Sequence, residues 1–411
     1  MTATAPQTRF NVGGVWLQQP FKIRRLGHFG FNVVNMDECV RFYTDLLGYR
    51  ISDTIDFSER AQSPEQLAGL GDPRGYFLRY GTDHHAFVLF NKRVREALDA
   101  HRRFAPGVTV NQITWQVGSL GEIGRAIRWF GERGVEIQRS GRDMPGSNWH
   151  TYVYDPDGHT NELYYGIEQI GWDGYSKPRA MYDRGFREPP PLPQMSEEAE
   201  VQEALARGID LHSGYRYVER LPATYDVDGI LLPRPFKIVR QGPVNLFVQD
   251  VQRAQDWYRD TLGFLFTEEV TWRGHRCVFM RNNTEHHSLG LFPIALREEL
   301  GLSPHTTTMS FGLQLGSYQQ LRDAVRFLRE HGVRVLDTIP PELYPGIDYA
   351  AHVLDPDGHC LQLYYYMEQI GWDGRPRPAH LRRHVTPGEW PEALEPLSDT
   401  YQGEPFLGPW G

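Results

Sequence analysis

DPDGHTNELYYGIEQIGWDG, at residues 155–174, recurs 200 positions later as DPDGHCLQLYYYMEQIGWDG, at residues 355–374. Upstream segments repeat in the same order, so that PFKIRRLGHFGFNV (20–33) pairs with PFKIVRQGPVNLFV (235–248). Matches that keep their order over such a distance indicate an internal duplication. The chain of 411 residues therefore consists of two related halves.

Each half divides again into two similar units. Apolar spacing in the first half predicts a strand (29–34), a helix (36–48) and strands near 49–54, 75–81 and 84–91, then a strand (112–118), a helix (119–133) and strands near 135–138, 149–155 and 161–166. Two such units can place their sheets face to face around a cleft lined by alternate residues. We therefore predict an α+β fold of four βαβββ modules.

Composition shifts along the chain predict five parts. They are an N-terminal extension (1–19), a first domain (20–175), a connector (176–234), a second domain (235–375) and a C-terminal tail (376–411). The connector combines the proline-rich stretch 188–194 with a predicted short helix at 196–207. We expect the tail, which is rich in Pro, Gly and Trp, to be an ordered strap.

The composition excludes several classes of function. A net charge of -9 argues against binding to nucleic acid or to an anionic membrane, because both need clustered Lys and Arg. No apolar run approaches the ~20 residues of a membrane helix, and the first residues show no signal pattern. The three distant cysteines (Cys39, Cys277 and Cys360) fit a reducing compartment and exclude a Cys-based zinc site. We expect a cytoplasmic protein that acts on a small molecule.

Three motifs together resemble the vicinal-oxygen-chelate superfamily, which contains glyoxalases, bleomycin resistance proteins and extradiol dioxygenases. They are the GHFGFNV opening strand, the HH-x-x-x-L strand and the DPDG-x-x-x-EL ending. The resemblance covers about residues 20–175 and 235–375, and the four-module length looks most like a two-domain type I extradiol ring-cleaving dioxygenase. It specifies the reaction less well than the scaffold, because the same fold carries several chemistries.

The resemblance implies a metal centre in the first half. It assigns the ligand positions to His28, Gln112 and Glu162, and it makes His85 an acid-base residue or a fourth ligand. Gln112 departs from the extradiol pattern, which normally has His there, although Gln serves as a ligand in the glyoxalase branch. His212, in the connector, is an alternative third ligand.

A comparison of the two halves locates the chemistry. His28 aligns with Pro243, which offers neither a metal donor nor a backbone N–H. Glu162 aligns with Gln362, whose neutral amide cannot offset the charge of a divalent ion. Gln112 aligns with Ser310. These differences indicate that the second half is a degenerate domain.

The comparison of the two halves distinguishes functional from structural residues less clearly for the other candidates. His84 and His85 recur in the second half, and strand alternation favours His85 as the inward-facing one. His150 and Tyr154 are evenly spaced on one strand and share a face, and the resemblance implies contacts with substrate oxygens. His159, which follows the DPDG turn and also recurs, is expected to be part of the turn structure.

The predicted function is extradiol cleavage of a catechol-like aromatic diol with O2 at an Fe(II) or Mn(II) centre. One alternative is a glyoxalase-like isomerase or lyase in which Ni(II), Zn(II), Mn(II) or Co(II) acts as a Lewis acid, and Gln112 favours it. A second alternative is a metal-free protein that binds a small aromatic compound. A homo-oligomer is expected from the family resemblance.

Overall fold

The computed structural model describes most of the chain. The described residues are 9–99, 105, 107–142, 145–146, 148–182, 192–370 and 373–394.

The first half forms one mixed sheet of eight strands, preceded by a hairpin of β1 (Phe10–Val12) and β2 (Val15–Leu17). Its elements are β3 (Ile23–Val33), α1 (Met36–Arg41), β4 (Arg50–Asp56), β5 (Arg74–Arg79), β6 (Phe87–Asn91), α2 (Lys92–Leu98), β7 (Val110–Val117), α3 (Leu120–Glu132), β8 (Ile137–Arg142), β9 (Trp149–Tyr154) and β10 (Thr160–Tyr165). The strand order is β4-β5-β6-β3-β7-β10-β9-β8. The first strands of the two modules, β3 and β7, therefore lie side by side at the centre.

The second half repeats this plan after a connector that holds α4 (Arg179–Tyr182), α5 (Glu197–Ala206), β11 (Tyr225–Val227) and β12 (Ile230–Leu232). Its elements are β13 (Ile238–Val248), α6 (Val251–Trp257), β14 (Leu265–Trp272), β15 (His275–Arg281), β16 (Leu289–Pro293), α7 (Leu296–Glu299), β17 (Thr308–Leu315), α8 (Tyr318–Glu330), β18 (Val335–Leu336), β19 (Ala350–Leu354) and β20 (Cys360–Tyr364). Its strands follow the corresponding order, β14-β15-β16-β13-β17-β20-β19-β18. The predicted α+β fold of four βαβββ modules is confirmed.

Two sequence predictions of element bounds were wrong. The opening strand begins at Ile23 rather than at residue 29. The strand predicted at 84–91 begins only at Phe87, because the backbone N–H of His84 donates to the carbonyl of Glu168 instead of joining the sheet. This detour places the two adjacent histidines in a loop beside the sheet.

The two halves share one interface, which contains both DPDG turns. The carboxylate of Asp357 accepts from the backbone N–H of Asn35, and Asp157 accepts from Gln249 in the reciprocal contact. The Phe29 ring stacks on Phe311 with centroids 4.2 Å apart. A cavity of about 820 Å³ lies between the halves, beside these turns.

His159 belongs to this turn structure, as predicted. Its Nδ1 lies 2.9 Å from Asp155, and the same carboxylate accepts from the hydroxyl of Tyr258 in the other half. In the part of the chain that the structure describes, no helix combines the length and the apolar character that a membrane crossing requires.

Candidate metal centre

Three central strands of the first sheet bring polar side chains together. In the strand register His28 on β3 lies opposite Thr114 on β7, and Thr114 lies beside Glu162 on β10. Side chains at paired positions point to the same face of a sheet. His28 Nε2 lies 3.0 Å from Glu162 Oε2, and the hydroxyl of Thr114 donates to that oxygen at 2.8 Å.

Glu162 is completely buried, and its second oxygen also has polar neighbours. Asn148 Nδ2 donates to Glu162 Oε1 at 2.8 Å, and His150 Nδ1 lies 3.9 Å from it. Burial alone would raise the pKa of Glu162, but the charge and hydrogen bond of His28, with His150 and Thr114, lower that pKa to about 2. Glu162 is therefore a carboxylate anion at neutral pH.

His85 approaches the same place from the loop between β5 and β6. Its ring centroid lies 4.3 Å from that of His28, and its Nδ1 lies 3.0 Å from His84 Nδ1. Gly146 packs so closely that a Cβ there would come within 2.8 Å of His85 Cε1. Burial, with the neighbouring His28 and His84, lowers the pKa of His85 well below its usual value, which keeps the imidazole neutral.

Gln112 lies two residues before Thr114 on β7, and strand alternation gives both the same face. It is half-buried and lies opposite Gly30 in the register. Position 30 has no room for a side chain, because a Cβ there would lie 2.1 Å from Val88 Cγ2. Gln112 is thus on the strand face of His28 and Glu162, diagonally displaced from His28.

The alternative third ligand, His212, is not at this site. It is exposed, its Nε2 lies 3.0 Å from Asp173 Oδ2, and its ring packs against Tyr175. His212 thus lies at the surface beside Asp173, whereas His28 and Glu162 are fully buried. The prediction of His212 as a ligand is therefore wrong for this arrangement.

The predicted substrate-contacting residues of β9 occupy different places. His150 is buried next to Glu162, as described above. Tyr154 is half-buried, lies opposite Thr160, and accepts from Gln138 Nε2 at 2.6 Å. The tyrosine that lies directly opposite Glu162 is Tyr152.

Sequence reasoning missed two residues that donate to the carboxylate, Thr114 and Asn148. Tyr152 and Tyr164 also lie beside the site. Tyr164 packs against His28 with ring centroids 5.0 Å apart and fills the space above Gly27. Alternation from Glu162 gives Tyr164 the same strand face, since the two are separated by one residue. Thr114 depends on the register between strands and Asn148 on the loop before β9, and the sequence alone specifies neither.

The residues present fit a divalent cation. A buried imidazole and a buried carboxylate anion point to one spot, and the Nδ1 of His28 has no hydrogen-bond partner in the described structure. Among the described residues no group of three or more His, Cys, Asp or Glu could hold a metal ion.

The sequence profile of the Glyoxalase/Bleomycin resistance protein/Dioxygenase superfamily matches residues 25–163 and 240–363. The chain belongs to this superfamily.

Relatives of known activity match only part of the chain. A 2,2',3-trihydroxybiphenyl dioxygenase from Sphingomonas paucimobilis is 27% identical over 130 residues, which are 32% of this chain and 42% of the relative. Metapyrocatechase 2 from Cupriavidus necator is 28% identical over 148 residues, 36% of this chain and 38% of the relative. The matches thus span about two fifths of each relative's length.

A solved structure shares the fold over most of the chain. The Mn(II)-bound glyoxalase from Novosphingobium aromaticivorans superposes with a TM-score of 0.51 at 13% identity, over 86% of this chain and 85% of that protein. At this identity the likeness concerns the fold alone.

Proposed function

We propose that the chain is an extradiol-type dioxygenase that cleaves the ring of a catechol-like substrate with O2. The observation that carries the proposal is the convergence of His28 and Glu162, both fully buried, 3.0 Å apart on one sheet face. The two partly matching relatives, named 2,2',3-trihydroxybiphenyl dioxygenase and metapyrocatechase 2, support the same reaction.

His28, Gln112 and Glu162 would hold an Fe(II) or Mn(II) ion. Such an ion, when bound by two neutral donors and one carboxylate, supplies neighbouring open positions for a diol and dioxygen. Asn148 and Thr114 each donate to one oxygen of Glu162, and this fixes the direction of the carboxylate.

His85 is the proposed acid-base residue. Burial lowers the pKa of His85, so the imidazole is neutral at pH 7. A neutral imidazole has one unprotonated ring nitrogen, which can accept a proton from a substrate hydroxyl. His150, beside Glu162, is the second group able to relay that proton. Tyr154 is the proposed hydrogen-bond partner of a substrate oxygen, and Tyr152, which lies closer to Glu162, competes for that role.

An apolar wall next to His85 suits a flat ring. Phe77, Val88 and Phe90 form a small buried cluster separate from the main core, and Phe77 lies edge-on to His85 with centroids 5.0 Å apart. Aromatic and aliphatic walls of this kind are typical of pockets for small aromatic ligands.

One experiment tests the proposal against its rivals. The protein is purified anaerobically, its bound metal is measured, and oxygen uptake is followed with a panel of catechols and hydroquinones. Stoichiometric iron or manganese with oxygen uptake is the expected result. Metal without uptake would favour the Lewis-acid isomerase or lyase, which Gln112 supports, and absence of metal together with ligand binding would favour the sequestering protein.

A further inference from the structure

His84, the neighbour of the proposed acid-base residue, is itself completely buried. Its Nδ1 lies 3.0 Å from the Nδ1 of His85, which is a hydrogen-bond distance. A neutral imidazole has one nitrogen that carries a proton and donates, and one that has a lone pair and accepts. One of these two rings therefore donates to the other through Nδ1.

The direction of this hydrogen bond determines the chemistry of His85. If His84 donates, the Nδ1 of His85 is the acceptor, and the single proton of neutral His85 is on Nε2. If His85 donates, its Nε2 has the lone pair. Nε2 is the ring nitrogen that is not turned to His84, and only a lone pair there can accept a proton from a substrate hydroxyl. His85 can therefore act as a base at Nε2 only when His84 is the acceptor.

The other nitrogen of His84 decides between the two directions. His84 Nε2 is buried, has no hydrogen-bond partner in the described structure, and lies 3.8 Å from Asp53 Oδ2. This distance is longer than a hydrogen bond, but two charged or polar groups at such a separation still interact electrostatically. A carboxylate attracts an N–H and repels a lone pair. Asp53 therefore favours the form of His84 that has its proton on Nε2 and its lone pair on Nδ1.

The carboxylate of Asp53 is well placed for this effect. In the strand register Asp53 lies opposite Phe77, whose ring centroid is 6.0 Å from that of His84 and 5.0 Å from that of His85. Paired positions share a sheet face, so Asp53 is on the face of the two histidines. The backbone N–H of Thr54 donates to Asp53 Oδ1, which leaves Oδ2 on the side of His84. In the part of the chain that the structure describes, no Lys or Arg forms an ion pair with Asp53.

The second half contains a related arrangement with an added cation. Glu268 corresponds to Asp53, and its Oε1 lies 2.8 Å from His286 Nε2, while His286 and His287 again face each other through Nδ1 at 3.0 Å. Arg382 pairs with Glu268, and its guanidinium lies 3.2 Å from the same His286 Nε2. An arginine can only donate, so it favours a lone pair on that nitrogen and opposes the carboxylate. The carboxylate without a competing arginine thus belongs to the half that contains the candidate metal centre.

We propose that Asp53 and His84 fix the tautomer of His85, so that Nε2 of His85 is the unprotonated nitrogen that accepts the substrate proton. Both are positioning residues, because they act through His85. The proposal rests on the proposed function for the role of His85 as a base. A carboxylate that orients a catalytic histidine directly is a recurring arrangement, and here a second imidazole transmits its effect.

The first test observes the tautomer itself. The full-length protein, labelled with nitrogen-15 in its histidines, is studied by NMR at pH 8 with Zn(II), a diamagnetic ion that keeps the spectra sharp. Nitrogen-15 chemical shifts distinguish protonated from unprotonated ring nitrogens, and His85→Gln identifies the signals of His85. We expect the proton of His85 on Nδ1 in the unmodified protein. We expect it mainly on Nε2 in Asp53→Asn, because the new amide group can donate to His84 Nε2.

The second test measures oxygen uptake with catechol as the substrate. Asp53→Asn should lower kcat at least about 10-fold with little change in KM, because a base is lost while the substrate contacts remain. Asp53→Glu keeps the carboxylate and copies the residue of the second half, so it should restore both the tautomer and most of kcat. Glu268→Gln is the matched control, since it removes the corresponding carboxylate of the second half and should leave the tautomer of His85 and kcat unchanged.

Two NMR results would overturn the proposal. One is a proton on Nε2 of His85 in the unmodified protein, and the other is a tautomer that Asp53→Asn and His84→Leu both leave unchanged. Asp53 is partly exposed, so Asp53→Asn keeps the test valid if His84→Leu does not fold.

Failure of the dioxygenase proposal would be recognised separately, because the NMR measurement needs neither substrate nor turnover. The expected tautomer without oxygen uptake from any catechol would reject ring cleavage and keep the effect of Asp53 and His84 on His85. Oxygen uptake that Asp53→Asn leaves unchanged would reject the positioning role and keep ring cleavage.

Discussion

The two halves have the same strand order but different side chains at corresponding positions of one sheet face. In the first half His28, Thr114 and Glu162 form a connected polar group on one face. In the second half the corresponding positions are Pro243, Gly312 and Gln362, and the amide of Gln362 donates to His352 at 3.1 Å. The duplicated half has kept the residues that pack the fold and replaced those that would provide charge for a cation.

The C-terminal segment also makes ion pairs with the second half. Arg382, in the C-terminal segment, pairs with Glu268 and Glu368, and its guanidinium lies 3.2 Å from His286 Nε2. In the first half the counterpart of Glu268 is Asp53, which lies 3.8 Å from His84. The second half therefore has an ion-pair network at His286, which corresponds to His84 in the first half.

The largest effect is expected from Glu162→Gln, which gives the first half the residue of the second. The amide retains the shape but loses the negative charge, so we expect loss of bound metal and a fall in oxygen uptake of at least about 1,000-fold, equivalent to roughly 4 kcal/mol. Metal analysis and oxygen uptake check this, while circular dichroism confirms that the variant is folded. A folded variant with unchanged turnover would exclude Glu162 from the site.

Gln362→Glu is the reciprocal control. It introduces a carboxylate into the second cleft, where Pro243 replaces the histidine partner. We expect no gain in bound metal and a loss of stability, because a buried carboxylate is costly and burial keeps its neighbour His352 neutral. Acquisition of a second metal ion by this variant would show that the second half needs only one residue to regain a site.

The next effect concerns the ion pairs of Arg382. Arg382→Ala leaves Glu268 and Glu368 without their shared guanidinium, and we expect the free energy of unfolding to fall by about 3 kcal/mol. Urea denaturation measures this change. Arg383→Ala alters the exposed neighbouring arginine and should lower the free energy of unfolding by less than about 0.5 kcal/mol. Equal effects of both substitutions would mean that the network adds nothing to stability.

A third prediction uses the pH dependence of stability. Burial lowers the pKa of His352 to about 3, whereas in the unfolded chain it titrates near the usual value of about 6.5. The unfolded state binds more protons between these values, so stability that is present above pH 6.5 is lost as the pH falls. Through this histidine the folded state should be about 1.2 kcal/mol less stable at pH 5 than at pH 6.

Urea unfolding at pH 6 and pH 5 checks that contribution. His352→Gln should reduce the pH dependence by the predicted amount, whatever its effect on absolute stability. His380→Gln, at an exposed position, should leave the dependence as it is. An undiminished pH dependence in His352→Gln would show that this imidazole does not stay neutral in the folded protein.

The fold could be predicted from the sequence because the duplication makes each informative pattern occur twice. The DPDG turns and the spacing of apolar residues recur in both halves, and the predicted order of strands and helices was confirmed. The predicted strand bounds were wrong where a contact with a residue distant in sequence determines them. At His84, for example, the backbone N–H donates to the carbonyl of Glu168. Periodicity within one segment contains no information about such a partner.

The candidate site was predictable only in part, for the same reason. Differences between the halves indicated His28 and Glu162, which the structure brings into contact. The hydrogen-bond partners of Glu162 come from other segments: Thr114 is placed by strand register, and Asn148 by the loop before β9. Residue types alone do not distinguish such a threonine or asparagine from any other polar residue in a strand.

The smallest effect concerns the interface that both halves share. The hydroxyl of Tyr43 donates to Asp355 at 3.0 Å, and that of Tyr258 donates to Asp155 at 2.9 Å in the reciprocal contact. Removal of one such hydroxyl by Tyr43→Phe should lower the free energy of unfolding by about 1 kcal/mol. Tyr258→Phe should cost more, because that hydroxyl also accepts from Asn161, the residue next to Glu162. Urea unfolding of the two variants therefore shows whether the interface is symmetric, and equal losses would mean that the extra contact on the side of the proposed site contributes nothing.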